Sequence, residues 1–220
     1  MFNLFNKTKL TIDSILFDNY GWELLQSNES IKQWINPEKT LSLSINFFKK
    51  RPDIPSLKDL KVLRFFYRDM VVESNGGLIQ VDPINIQGFP TVKTILKIPQ
   101  DPSGMTYLAS LTFPFKSCSF VIKVQAPELG DTGTRDTFIA NGFLREGKVS
   151  VIDGETQIDG WASDPYDPTF TKGTLMNLAE DEKHDNRFRS HPLTLARKLI
   201  SEIEKGLIFH EDMKKEKPFK

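Results

Sequence analysis

The chain has 220 residues, of which 39% are hydrophobic and 26% are charged, as in ordinary globular proteins. Lysine plus arginine and aspartate plus glutamate both total 29, so the formal net charge is zero and gives no general attraction to nucleic acid or anionic membranes. No stretch approaches the roughly 18 apolar residues of a membrane span, and the first residues, MFNLFNKTKLTI, contain no apolar run of signal-peptide length. We therefore expect a cytoplasmic protein that binds neither nucleic acid nor membrane.

The first third of the chain contains strand patterns. TLSLSINFF at 40–48 alternates apolar and polar residues and predicts a strand with one apolar face. SIKQWINPEKT at 30–40 predicts a partner strand that turns at 36–39, and GWELL at 21–25 is a candidate for a still earlier strand.

A helix is predicted next, over SLKDLKVLRFFYRDM at 56–70, with Ser56 as its N-cap. The segment Asn75-Gly76-Gly77 ends it by allowing positive φ. The residues that share the predicted buried face are Leu57, Leu60, Leu63, Tyr67, Met70 and Val71.

Four strand patterns follow in close succession, at 77–86, 91–99, 105–113 and 118–126. Their short links predict antiparallel neighbours, because parallel strands need crossovers of about a dozen residues or more. Pro83 in the first of them is typical of an edge strand or of a β-bulge. Cys118, the only cysteine, shares the apolar side of the last strand, so we expect an inert core thiol.

GDTGTRDTFIANGFLREG at 130–147 predicts a second helix. Exposed backbone N–H groups at its start, together with Arg135, could hold an anion. The favoured alternative is that Asp131 or Thr132 caps the helix while Arg135 pairs with a carboxylate. The G-x-x-G spacing lacks the GK[ST] of a phosphate-binding loop.

The remaining residues, 149–220, predict an extension packed on a domain formed by 1–148. It consists of an irregular segment, a helix at 191–207 and a charged, frayed tail. Isolated aromatic residues in the irregular segment favour a strap whose rings fill grooves on the domain. The alternative is that these rings contact a partner protein. They are Trp161, Tyr166, Phe170 and Phe188.

The same segment carries side chains that could ligate a metal, namely Asp164, Asp167, His184 and His191. Neither H-E-x-x-H nor a calcium-loop pattern is present, and aspartate followed by proline is also typical of turns. We favour the structural strap. The metal hypothesis requires these four side chains to converge.

Taken in order, the elements predict an α+β fold in which helices pack on an antiparallel sheet. Trp22, Trp34, the helix SLKDLKVLRFFYRDM, the meander at 78–126 and the helix that begins with GDTGTRDT resemble the PsbP-like fold group over residues 20–145. That group includes the photosystem subunit PsbP, a Ran-binding nuclear-transport factor and bacterial DcrB-like proteins. The resemblance implies an α/β/α sandwich and a role in binding or assembly.

These observations lead to three functional hypotheses. The favoured one is a non-enzymatic, chaperone-like or assembly module of bacterial type, which binds an unknown protein partner and needs no cofactor. Its candidate binding residues are the four aromatic residues of the strap with Asp131 and Arg135. The alternatives are a metal-dependent hydrolase built on the Asp/His cluster of 164–191, and a structural subunit of a homo-oligomer.

Overall fold

The computed structural model describes residues 10–152, 158–217 and 219, so 153–157 of the predicted irregular segment lie outside the described residues. The helices are α1 (Leu60–Val72), α2 (Thr134–Arg145) and α3 (Pro192–Gly206). The strands of the first part of the chain are β1 (Ile15–Leu16), β2 (Glu23–Ser27), β3 (Ile31–Ile35), β4 (Ser42–Phe48), β5 (Gly77–Ile86), β6 (Phe89–Pro99), β7 (Met105–Pro114) and β8 (Ser119–Pro127). Five two-residue strands follow: β9 (Ser150–Val151), β10 (Ile158–Asp159), β11 (Ala162–Ser163), β12 (Met176–Asn177) and β13 (Ile208–Phe209).

The main sheet contains seven strands in the order β2-β3-β4-β8-β7-β6-β5. Every neighbouring pair is antiparallel. This arrangement confirms the predicted α+β class and the meander of four strands. It also places Pro83 on β5, an edge strand, where the missing backbone N–H does least harm to the ladder.

The two faces of the sheet are covered differently. α3 packs on β7 and β8, over an apolar face that includes the fully buried Leu43, Ala109 and Val124. α1 packs on β5 and β6, where Val81 and Val92 lie beneath it. Farther across the α1 face the register continues into polar side chains, since Val81 is followed by Thr94, Ser110, Lys123 and Ser44. The change from apolar to polar residues along this row therefore marks the limit of the surface that α1 covers.

α1 differs from its prediction at its N-terminus and on one face. Its N-cap is Asp59, whose carboxylate accepts a hydrogen bond from Val62 N at 3.1 Å, instead of Ser56. Asn75 has a φ of 53° just after the helix, as expected for the residue that ends it. Met70 is 43% exposed, so its assignment to the buried face is wrong. The next residue, Val71, is buried and lies on the same inner face of the helix as Leu63 and Tyr67.

The end of the chain is more ordered than predicted. α3 matches the predicted helix, with His191 as N-cap and Pro192 in its first turn. The expectation of a frayed tail is wrong over the described part of 208–219, because β13 pairs with β1 and Met213 is fully buried. The physical reason is that Phe209 and Met213 pack into the main core, so their burial outweighs the charged composition around them.

Candidate functional site

The segment 158–190, which we call the strap, first crosses α1. The hydroxyl of Tyr166 accepts a hydrogen bond from Val81 N at 2.8 Å, which ties the strap to the edge strand β5. The Arg64 guanidinium lies 3.7 Å from the centroid of the Tyr166 ring, and that of Arg68 lies 4.4 Å from the Phe170 ring. Both rings therefore form cation–π contacts with arginines of α1, and these contacts hold the strap against the helix.

Asp164 and Asp167 belong to this same crossing. Asp164 Oδ1 accepts hydrogen bonds from the backbone N–H groups of Tyr166 and Asp167, which is the turn geometry expected of DPYDP. Arg68 Nη1 lies 3.5 Å from Asp164 Oδ1 and 3.2 Å from Asp167 Oδ2. One arginine of α1 thus forms ion pairs with both carboxylates.

The second half of the strap is fixed by Arg135, which is almost completely buried. Its guanidinium donates hydrogen bonds to Ala179 O at 2.6 Å, to Asp181 O at 3.1 Å and to the Thr194 hydroxyl at 3.0 Å. It also lies 2.9 Å from Asp185 Oδ1. A guanidinium with this many partners acts as a structural anchor, and it has little capacity left for an external anion.

The other candidate residues are distributed along the strap. Phe188 contacts Phe138 of α2, with 5.9 Å between the ring centroids. Trp161 is half-buried and is fixed through its backbone, which bonds to Ile158 and Leu178. Asp131 is exposed, and its carbonyl accepts a hydrogen bond from the hydroxyl of Thr134. Gly133, with a φ of 69°, occupies the N-cap position of α2 in place of Asp131 or Thr132.

The four candidate metal ligands do not converge. Asp164 and Asp167 contact Arg68, His184 lies beside Phe143, and His191 lies beside Glu128. Within residues 10–152, 158–217 and 219, no three His, Cys, Asp or Glu side chains form a group that could hold a metal ion. The convergence that the hydrolase hypothesis requires is therefore not found among the described residues.

A cleft lies where the strap meets α2 and α3, and we call it the 128–191 cleft. Its volume is about 920 Å³. Three candidate binding residues line it, namely Asp131, Arg135 and Phe188. Other residues of its lining are Leu41, Glu128, Leu129, Arg187, Arg189, His191 and Leu195. The sequence analysis proposed Asp131 and Arg135 from one segment and Phe188 from another, and the fold brings them to one surface.

Glu128 and His191 form a buried pair in this cleft. His191 Nε2 lies 3.3 Å from Glu128 Oε1, and His191 Nδ1 accepts a hydrogen bond from Leu193 N. The carboxylate also accepts hydrogen bonds from Met105 N and Gly133 N. Burial alone would raise the pKa of Glu128, but the interaction with His191 and the hydrogen bonds from the two backbone N–H groups outweigh burial and lower it.

Beneath the cleft lies a buried polar network that the sequence analysis missed. Lys97 Nζ contacts Glu180 Oε2 at 2.7 Å, and the Tyr107 hydroxyl donates to Glu180 Oε1 at 3.3 Å. Asp136 joins through Asn177, whose side-chain amide donates to it at 2.7 Å. Burial and then the charge of Glu180 raise the pKa of Asp136. The sequence contains one signal for this network. Lys97 lies two residues after the buried Ile95 in β6, so its side chain lies on the same face of the sheet.

Cys118 lies apart from these groups. Its side chain is buried in the main core, as predicted for a structural thiol. Burial, and then the charge of Glu216, raise its pKa to about 11. A thiol with a raised pKa is a poor nucleophile near neutral pH.

No protein-family model and no curated protein matches the chain. Solved structures similar to it include a protein from Bacteroides thetaiotaomicron, with 14% identity over 50% of this chain and 37% of that one, at a TM-score of 0.32. The Ran-binding protein Mog1p of Saccharomyces cerevisiae is 11% identical over 58% of this chain and 74% of its own, at a TM-score of 0.38. A Mog1 variant covers 91% of this chain and 89% of its own with 9% identity, at a TM-score of 0.42.

A Ran-binding protein is thus among the solved structures that are similar to the chain. None of the helices in the described residues is long and apolar enough to cross a membrane.

Proposed function

We propose that the protein is a non-enzymatic protein-binding module, and that the 128–191 cleft holds a segment of its partner. The observation that carries this proposal is the composition of the cleft. Leu129 is 58% exposed at its rim, while Leu41, Phe188 and Leu195 contribute half-buried apolar surface. Apolar surface inside a polar rim is the usual composition of a protein interface.

The rim supplies hydrogen-bonding groups for orientation. Arg187 and Arg189 are exposed, and within the described part of the chain neither forms an ion pair with a carboxylate. Asp131 and Glu38 add the opposite charge. Mixed charge of this kind favours a partner segment recognised by its shape and its register over one selected by net charge.

The buried groups of the cleft support binding more than catalysis. His191 Nδ1 accepts a hydrogen bond from Leu193 N, whereas Nε2 lies 3.3 Å from Glu128 Oε1 and forms no hydrogen bond within the described part of the chain. Both carboxylate oxygens of Glu128 accept backbone hydrogen bonds. These contacts fix the orientation of both side chains within the fold, which favours a structural role for the pair over that of a general base. A chaperone-like or assembly role, a bacterial source and a cytoplasmic location stay predictions from the sequence.

Site-specific photo-crosslinking tests this proposal. A photoreactive amino acid is placed at Arg187 of the full chain, and the adducts formed in cells of the source organism are identified by mass spectrometry. We expect a discrete protein adduct that Leu129→Asp abolishes, because a charge at the rim disfavours an apolar segment. Ile208→Asp is the matched control, because Ile208 is 64% exposed and lies outside the cleft. The adduct formed from position 187 should persist in this variant.

Two outcomes contradict the proposal. One is the absence of any specific adduct from Arg187. The other is an adduct that persists unchanged in Leu129→Asp.

A further inference from the structure

α1 carries a second apolar stripe, which faces away from the sheet. Its inner stripe, formed by Leu63, Tyr67 and Val71, is buried. On the outer side, Val62 is 47% exposed, Phe65 is 53% exposed and Met70 is 43% exposed, with the half-buried Phe66 between them. These four residues follow the i, i+3, i+4, i+8 spacing of one helix face. A surface helix that needed only to cover the sheet would be polar at these positions.

The strap does not cover this stripe. Its aromatic rings contact α1 through Arg64 and Arg68, on the side of the helix that faces Tyr166 and Phe170, and Arg68 also lies 5.4 Å from the centroid of the Phe65 ring. A groove of about 450 Å³ follows the outer stripe and is walled by Pro55 and by the helix itself. Contiguous apolar surface of this kind marks an interaction site.

Apart from the N-cap Asp59, the exposed charges at the two ends of the stripe have the opposite order to the one that a helix favours. Lys58 and Lys61 are exposed near its N-terminus, and Asp69 and Glu73 are exposed near its C-terminus. The helix dipole favours acids at the N-terminus and bases at the C-terminus. Within the described part of the chain none of these four residues forms an ion pair. The arrangement is unfavourable for the isolated helix, and it is complementary to a copy of itself that runs in the opposite direction.

We propose that a second copy of the chain packs on the outer stripe of α1, with the two α1 helices antiparallel about a two-fold axis between Phe65 and Phe66. Positions whose numbers sum to 131 then face each other. Phe65 lies opposite Phe66 of the other copy, and Lys58 lies opposite Glu73. A two-fold interface must be self-complementary, and this stripe is so through Phe65 opposite Phe66 and Lys58 opposite Glu73. By the same rule Lys61 lies opposite Met70 and Asp69 opposite Val62, so the charge complementarity rests on Lys58 and Glu73. The aromatic and methionine side chains at its centre are those enriched in interfaces.

This interface is separate from the 128–191 cleft, so either proposal can fail without the other. The cleft lies against α2 and α3, and the residues that line it include none of those that line the groove along α1. The dimer would therefore present two clefts to partners.

Sedimentation velocity of the full-length chain over a range of micromolar concentrations tests the proposal. We expect wild type to sediment as a dimer at the upper end of the range. Phe65→Asp should raise the dimer dissociation constant at least about 10-fold, the effect of losing a central interface anchor. Ile208→Asp, which places the same charge at another exposed apolar position, should leave the constant unchanged. Thermal unfolding followed by circular dichroism shows that both variants are folded.

A charge exchange tests the antiparallel geometry. Glu73→Lys alone places two lysines opposite each other and should weaken the dimer, and Lys58→Glu alone should do the same through two acids. The double variant Lys58→Glu, Glu73→Lys restores opposite charges and should recover most of the wild-type constant. A monomeric wild type, a dimer that Phe65→Asp leaves intact, or a double variant no better than either single one would each overturn the proposal.

Discussion

Lys97 Nζ lies 2.7 Å from Glu180 Oε2, and the two side chains are almost completely buried. The pair joins β6 to the strap across 83 positions of sequence. Glu180 Oε2 also accepts a hydrogen bond from Asn177 N at 2.8 Å, so the carboxylate holds the backbone of the strap as well. A buried ion pair contributes little when it is whole, but it becomes costly when one partner is removed.

Glu180→Ala should therefore be strongly destabilising. The change leaves the Lys97 ammonium buried without its counter-charge, and we expect a loss of about 3–5 kcal/mol in the free energy of unfolding. Urea denaturation followed by tryptophan fluorescence measures it. Glu202→Ala is the control, because Glu202 belongs to an exposed pair with Lys198 at 3.9 Å and should cost at most ~1 kcal/mol. Equal losses in the free energy of unfolding for the two variants would show that the buried ion pair contributes no more to stability than the exposed one.

The strap should depend on Tyr166 more than on Trp161. Tyr166 packs on α1 and its hydroxyl bonds to Val81, whereas Trp161 is half-buried without a comparable contact to either core cluster. We expect Tyr166→Ala to lower the melting temperature by more than Trp161→Ala, and Tyr166→Phe to fall between Tyr166→Ala and wild type. Differential scanning calorimetry ranks the three variants. The reverse order would mean that the strap is fixed from its beginning, near Trp161.

Arg135→Met should release the second half of the strap while leaving the sheet folded. The variant loses the hydrogen bonds to Ala179, Asp181 and Thr194, and charge-assisted bonds contribute about 1.5–3 kcal/mol each. We expect trypsin to cut after Lys183 at least about 10-fold faster, because local opening exposes the segment. Arg145→Met changes an exposed arginine at the end of α2 and serves as the control. Similar cleavage rates in both variants would contradict the anchoring role.

Replacing Glu128 and replacing Asp136 should change the pH dependence of stability in opposite directions. The folded pKa of Glu128 is lowered from 4.5, so its contribution is present above that pH and is lost as the pH falls through the folded value. Glu128→Gln should be less stable than wild type at neutral pH by ~1–2 kcal/mol, and the difference should shrink in acid.

Asp136 provides the opposite case. Its folded pKa is raised from 3.8, so the folded state binds the proton more tightly and stability falls as the pH rises from 3.8 through the folded value. Asp136→Asn should gain stability relative to wild type at neutral pH and lose that advantage in acid. Urea midpoints across a pH series measure both effects. Parallel curves for the two variants and wild type would contradict both assignments.

Cys118 should react slowly in the native protein. Its burial and its pKa of about 11 leave little accessible thiolate at neutral pH. We expect Ellman's reagent to modify one thiol rapidly in denaturant and far more slowly without it. Rapid modification of the native protein would show that the core opens at β8.

The strands and helices could be predicted because their signals are local. Alternation in TLSLSINFF and in the meander reports burial of one face. Within β2–β4 and within β5–β8 each strand lies beside the next along the chain, whereas the pairing of β4 with β8 joins strands far apart in sequence. Met70 and the tail were predicted wrongly for a common reason. Local periodicity does not show which apolar face finds a neighbour, and it does not show that two apolar residues in a charged tail reach a core formed far away in sequence.

The sequence by itself determined the α+β class, the antiparallel meander, the helical position of residues 192–206 and the candidate residues of the strap. Only the tertiary structure decided what those residues do. Arg68 forms ion pairs with both aspartates of DPYDP, Arg135 is buried against the strap, and Lys97 forms an ion pair with Glu180. The physical reason is that the charge and hydrogen-bonding capacity of a side chain belong to its residue type, whereas its partner is set by packing between segments that lie far apart in sequence.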